Sequence, residues 1–175
     1  VGEIDFITAF ARLLRDGKLR DLFANNPLAA ANQIHLATSE LPAWRQLNPD
    51  ELEFQAEVLL RKRLDLVKFF APKTCAQVEE RLWPTFREFA RENWPPENTA
   101  KFLDAFQFCG WLKQRKPEVI AAAEWNRLDF AVSNHRMNFH FVRLPDARWK
   151  MRHGLQIFLR RRAGRWHEFF LYPGW

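Results

Sequence analysis

The feature that most constrains this chain is a change of hydrophobic period close to Asn134. Before it, apolar residues recur every three or four positions; after it, they alternate. A period of 3.6 lays side chains along one stripe of a helix, and a period of 2 lays them on one face of a strand. The chain therefore reads as α+β: a mostly helical body, residues 1–134, followed by a small C-terminal three-stranded antiparallel β-meander, residues 135–175.

Local signals divide the helical body. Ile4, Ile7, Phe10, Ala11 and Leu14 share a face of a helix over 4–15, which Gly17 ends. A short helix over 19–25 carries Leu22 and Phe23, and a third over 28–34 follows with Asn26 as its cap and Pro27 in its first turn. Pro42 and Pro49 bracket a helical turn over 41–47. The strongest helix follows. Asn48 caps it, Pro49 opens it, and Asp50, Glu51 and Glu53 load the positive end of its dipole. Leu52, Ala56, Leu59, Leu60, Leu64, Val67 and Phe70 form its apolar stripe, and Pro72 stops it. Helices over 75–82 and 85–93 come next, with Pro84 breaking the run between them. Trp94-Pro95-Pro96 is a rigid elbow, Asn98 or Thr99 caps a helix running to Lys113, and Pro117 starts a last helix through Phe130.

In the meander, Phe139, Phe141 and Arg143 alternate with Asn138, His140 and Val142, giving a strand over 137–144. Pro145-Asp146 is a turn. Leu155, Ile157 and Leu159 alternate with Gln156, Phe158 and Arg160 in a strand over 155–162. Ala163-Gly164 forms a tight hairpin into the third strand, 165–172.

Charge separates the two parts as sharply as period does. Residues 1–135 hold 18 Lys/Arg against 19 Asp/Glu, whereas residues 136–175 hold nine Lys/Arg against Asp146 and Glu168 alone. The whole excess of positive charge lies in the meander, where it attracts an acidic partner. With 17 Phe and 8 Trp, the chain has more rings than a core of this size needs, so some are expected at an interface. Arg143, Lys150, Arg152, Arg160, Arg161, Arg162 and Arg165, interleaved with Phe158 and Trp166, are the candidate peptide-binding residues, with Arg148, Trp149 and Phe169 in the same module. A meander has two open edges, and an edge flanked by arginines can take up an extended peptide as a further strand.

Catalysis has little to stand on. The sequence holds no Gly-rich phosphate loop, no HExxH and no G-x-S-x-G. His140 and His167 could share a sheet face, but two histidines without a nearby acid or thiol make a poor metal site. Cys75 and Cys109 have neither metal-ligand nor CxxC spacing and read as reduced, buried, structural thiols. No apolar run approaches the roughly 18 residues that span a bilayer. The first five residues lack the basic start of a secretory signal, so a cytoplasmic location is expected.

An ordered set of residues adds a resemblance. Leu19-Arg20-Asp21-Leu22-Phe23 with Asn26-Pro27 forms a small helical module. Ala56-Glu57-Val58-Leu59-Leu60-Arg61-Lys62-Arg63 follows, then Trp83-Pro84 with Phe86 and Phe89-Ala90, then Trp94-Pro95-Pro96. Asp104-Ala105-Phe106, Phe108-Cys109 and Trp111-Leu112 complete it. Together they resemble the small partner proteins encoded beside multinuclear non-haem iron-dependent oxidative enzymes (MNIOs) in ribosomal peptide natural-product pathways. Similar in outline are the accessory subunit of the methanobactin oxazolone synthase and, more closely, the partner of the cysteine-carbon-excising enzyme on the route to 3-thiaglutamate. The resemblance implies a non-catalytic subunit of a heterodimer, with iron in the partner enzyme and no cofactor in this chain. It also implies that the subunit docks the acidic leader of a precursor peptide by strand addition. The enzyme-facing surface would then include Arg61, Arg63, Trp83, Trp94 and Trp111, named from charge and position. The alternative is a nucleic-acid-binding protein using the same basic aromatic module. It is less favoured, because the helical body is charge-balanced and shows no basic recognition helix.

Overall fold

A computed structural model describes residues 2–94, 102–145, 151–161 and 165–172, with backbone only at 144–145 and 151–152. The α+β reading holds: helices fill the chain as far as Val132, and a three-stranded antiparallel sheet in the order β1-β2-β3 follows. The elements are α1 Phe6–Arg15, α2 Gly17–Asn25, α3 Pro27–Gln33, α4 Leu41–Arg45, α5 Pro49–Phe70, α6 Pro72–Val78, α7 Leu82–Glu92, α8 Phe102–Arg115, α9 Ala122–Val132, β1 Met137–Pro145, β2 Met151–Arg160 and β3 Trp166–Leu171. No helix among the described residues is long and apolar enough to cross a membrane.

Contacts group the chain into two units that do not follow the sequence boundary at Asn134. One unit is Val1–Asp65 with Arg81–Glu97; the other is Leu66–Glu80 with Asn98–Trp175. The period switch marks where helix gives way to strand, but α8 and α9 group with the sheet.

In the first unit, α1 to α4, the start of α5 and α7 bury Leu13, Leu19, Phe23, Ala30, Trp44 and Leu52. Trp44 meets Phe23 edge-on at 5.1 Å, and its Nε1 donates to the Pro27 carbonyl at 2.8 Å, so the ring is buried with its polar atom satisfied. Side-chain caps set the helix starts. Asp5 accepts from the Thr8 amide, Asp16 from Leu19, Asn26 from Ala29 and Asn48 from Asp50. Each such cap contributes about 1 kcal/mol. Gly17 therefore opens α2 rather than closing α1; Asp16 does both jobs. Arg20 donates to the Leu13 and Leu14 carbonyls and to Glu53, which also pairs with Arg87.

The break expected at Pro84 lies elsewhere. Pro84 sits in the first turn of α7, where a missing N–H costs nothing. The chain bends instead at Glu79, whose φ of 54° carries it out of α6. The last helix likewise begins later than Pro117, which forms only a 3₁₀ turn, Pro117–Val119, ahead of α9.

In the second unit, Glu124 of α9 is buried and accepts from the amides of Lys73 and Thr74, capping α6, while Thr74 Oγ1 accepts from the Ala121 amide. α8 meets α9 through the Phe106–Trp125 stack at 5.2 Å. The α9–sheet contact is made by Phe130 stacked on Phe158 at 5.0 Å, with Trp166 edge-on to both. The elbow residues Pro95-Pro96, the caps Asn98 and Thr99, and the turn residues Asp146, Ala163 and Gly164 lie outside the described residues.

Candidate functional site on the C-terminal sheet

Register decides what each residue of the meander can do. Phe139 pairs with Ile157 and Ile157 with Phe169; Phe141 pairs with Leu155 and Leu155 with Leu171; Met137 pairs with Leu159 and Leu159 with His167. Because side chains alternate, these rows share one face, and their even-numbered neighbours share the other.

The even face packs on α9. Val142, Gln156 and Phe158 are buried there, with Phe158 and Gln156 both 0% exposed. Burying an amide costs several kcal/mol unless its hydrogen bonds are made, by about 2–7 kcal/mol in apolar transfer. Gln156 makes them: its Nε2 donates to the Ala123 carbonyl at 2.9 Å and to Glu168 at 2.7 Å, and its Oε1 accepts from Asn126 at 3.0 Å. Glu168 also accepts two bonds from Arg127, at 2.7 and 3.1 Å. The sole described acid of the meander is thus spent on α9, which leaves no described acid beside the exposed Arg143, Arg161 and Arg165.

The odd face is open. Phe141 is 82% exposed, Met137 60%, Phe139 59% and Leu171 55%. Around these rings and chains stand Arg143 and His153 at one end of the rows and Arg161, Arg165 and His167 at the other, all exposed. No Asp or Glu lies on this face among the described residues.

β1 is also an edge. The Arg160 amide donates to the Arg136 carbonyl at 2.8 Å, so even-numbered residues of β1 bond to β2 and odd-numbered ones turn their N–H and C=O groups outward. The outward Phe139 amide donates to Asn138 Oδ1 at 2.9 Å. The residues whose main chain faces the edge, Met137, Phe139, Phe141 and Arg143, are thus those whose side chains lie on the open face.

This arrangement divides the sequence-derived candidates. Arg143, Arg161 and Arg165 are exposed together with the apolar rows. Phe158 is not available to a ligand, because it is wholly inside the α9–sheet contact, and Trp166 is half-buried against the same rings. Arg160 is also turned inward: its guanidinium donates to the Phe130 carbonyl and lies 5.0 Å over the Phe130 ring, finishing the C-terminal end of α9. Lys150 and Arg162, with Arg148 and Trp149, lie outside the described residues, and Arg152 is described by its backbone alone. His140 and His167 fall on opposite faces, and no group of three His, Cys, Asp or Glu among the described residues could hold a metal ion. What sequence reading passed over is the apolar part of the open face, Met137, Phe139, Phe141, Leu155, Ile157, Leu159 and Leu171.

The helical candidates also divide. In the first unit, Arg61 lies 4.4 Å over Trp83 and pairs with Glu57, and Arg63 lies 4.4 Å over Trp94 and 5.6 Å over Phe86. Arg61 is exposed, whereas Arg63 is only 8% exposed and donates to the Asn93 carbonyl, so it braces α5 against α7 rather than facing a partner. Trp111 belongs to the second unit, stacked on Phe108 with Arg115 at 4.0 Å over its ring. Both thiols are buried. Burial pushes Cys75 up to about 11, with Glu124 adding to the effect, and pushes Cys109 up to about 12, with Cys75 and Glu124 adding less. Neither forms a thiolate near neutral pH.

The fold is that of an α+β protein whose small basic sheet leaves one face and the β1 edge open among the described residues. Among known families, the SCO6045-like C-terminal domain matches residues 35–114, which is less than half of the 175-residue chain. The match takes in Arg61, Arg63, Trp83, Trp94 and Trp111 and stops before α9 and the sheet. No curated protein and no solved structure matches the chain.

Proposed function

We propose that this chain is the non-catalytic subunit of a heterodimeric iron-dependent peptide-modifying oxygenase, acting in the cytoplasm. Its sheet docks the acidic leader of a ribosomally made precursor peptide by strand addition to β1, and so presents the C-terminal Cys region of the precursor to the partner's active site. The partner is an MNIO-type enzyme that holds the iron, and the pathway is of the 3-thiaglutamate type. The observation that carries this reading is the coincidence of an open β1 edge with a cation-rimmed apolar face that carries no described acid. The residues of the MNIO-partner resemblance between Ala56 and Leu112 fall inside the region matched by the SCO6045-like domain, which supports the assignment of the helical part.

Co-purification with an iron enzyme, followed by titration with a precursor leader, tests the reading. The complex should bind leader at least about tenfold more weakly when Arg161 and Arg165 become Glu. Unchanged binding would remove the docking assignment.

Nucleic-acid binding is the second reading, favoured by the exposed Phe139, Phe141 and Phe169 rings beside Arg143, Arg161 and Arg165, since bases stack on such rings. The aliphatic middle row of Leu155, Ile157 and Leu159 offers no ring for stacking and suits a peptide better. A gel shift that stays negative with DNA and RNA at low salt removes this alternative.

A further inference from the structure

Strand addition uses the main chain of β1 and leaves the open face itself without an occupant. That face is not flat. Over the row of Phe141, Leu155 and Leu171 lies a depression of about 330 Å³, lined by those three residues with His153, Gly154 and Tyr172. A Cβ at Gly154 would come within 3.3 Å of the Leu171 carbonyl oxygen and 3.5 Å of the Tyr172 ring, so a side chain at this position would displace Tyr172. The volume lies at the small end of ligand sites, about 300–1,000 Å³, and suits one bulky side chain rather than a large ligand.

From this geometry we infer that the outer face of the sheet is an anchor site, taking a bulky apolar side chain of an acidic peptide segment into the Phe141–Leu155–Leu171 depression. A neighbouring carboxylate of the same segment meets Arg143 and His153. The inference rests on the peptide-docking reading for its occupant, and it adds that selection is made on the face as well as along the edge. Charge complementarity selects this occupant. Arg143, Arg161 and Arg165 rim the face, and no Asp or Glu on it among the described residues balances them. A second copy of the chain would bring the same cations against themselves, which opposes a face-to-face dimer. An anionic membrane or a nucleic acid would satisfy the cations, but a planar headgroup layer or a stack of bases leaves a one-side-chain depression unfilled.

The test is fluorescence anisotropy on the full chain, with a labelled synthetic peptide of Asp, Glu, Gly and Ser carrying one central Phe. Parallel probes replace that Phe with Ala or all its acids with Lys. Phe141→Ser and Arg143→Glu change exposed positions, so circular dichroism and melting should match the parent chain. The Phe probe should bind, and binding should weaken at least about tenfold with either variant, with the Ala probe and with the Lys probe. Equal binding by the Phe and Ala probes, indifference to Phe141→Ser, or no binding of any probe would overturn the anchor site. Tighter, Phe141-dependent binding of anionic vesicles or of single-stranded DNA would overturn it in favour of those ligands. If precursor leader still binds the enzyme complex while Phe141→Ser has no effect, the anchor site fails and strand addition stands.

Discussion

The two faces of the C-terminal sheet are built from the same three strands and both carry aromatic rings, yet they have opposite fates. On the inner face, Phe158 stacks on Phe130, and Gln156, Glu168, Asn126 and Arg127 complete one another's hydrogen bonds. On the outer face, Phe139, Phe141 and Leu171 meet solvent beside cations that have no described acid near them. Ring content alone therefore does not mark a core. What marks it here is a polar network that only α9 can complete, and its absence marks the surface left for something else. Contiguous exposed apolar area of this kind is the usual signature of an interaction site.

Truncating one ring on each face separates the two most sharply. Phe158→Ala removes a fully buried ring and should cost about 3–5 kcal/mol in denaturant unfolding. Phe141→Ser, on the opposite face, should stay within about 0.5 kcal/mol of the parent. Comparable losses for the two would contradict the assignment of faces.

A smaller effect tests the network. Gln156→Leu keeps the volume but leaves Glu168, Asn126 and the Ala123 carbonyl short of a partner, and should cost about 1–3 kcal/mol. If Gln156→Leu proves neutral, the inner face is an ordinary apolar core and its network is dispensable.

These contrasts also show what could be read from sequence. The caps Asn26 and Asn48 and the strand periods were legible because each depends on residues only a few positions apart. The choice of face was not. Leu155, Ile157 and Leu159 alternate with Gln156, Phe158 and Arg160, and nothing local says that the set containing a glutamine and an arginine goes inside. That choice depends on Ala123, Asn126, Arg127 and Phe130, with Asn126 and Ala123 lying 30 and 33 residues from Gln156 in sequence. Pro84 misled for a related reason: a proline signals a break only in a helix interior, and here it falls in a first turn. The basic character of the meander was visible, but its net field at the surface depends on Glu168 being paired with Arg127.

Two lesser outcomes follow from groups away from the sheet. Cys75 and Cys109, held near 11 and 12, should react with a thiol reagent at pH 8 only after denaturant is added. Rapid labelling of the folded chain would contradict their burial. Burial alone would raise Glu53, but the bonds and charges of Arg20 and Arg87 outweigh it and hold the carboxyl below its ordinary 4.5. Its contribution is therefore complete above that value and is lost as pH falls through the lowered one. Glu53→Gln should flatten the acid side of the stability curve slightly, and an identical curve would show that the Arg20–Glu53–Arg87 cluster contributes nothing.

We propose that the open face and the β1 edge of the sheet together form the binding surface. Hydrogen–deuterium exchange of the chain, with and without a saturating acidic peptide, tests it most directly. New protection is expected over residues 137–143, where the outward main-chain groups of β1 and the open face coincide. Protection confined to the helices of the first unit, with β1 unchanged, would contradict it.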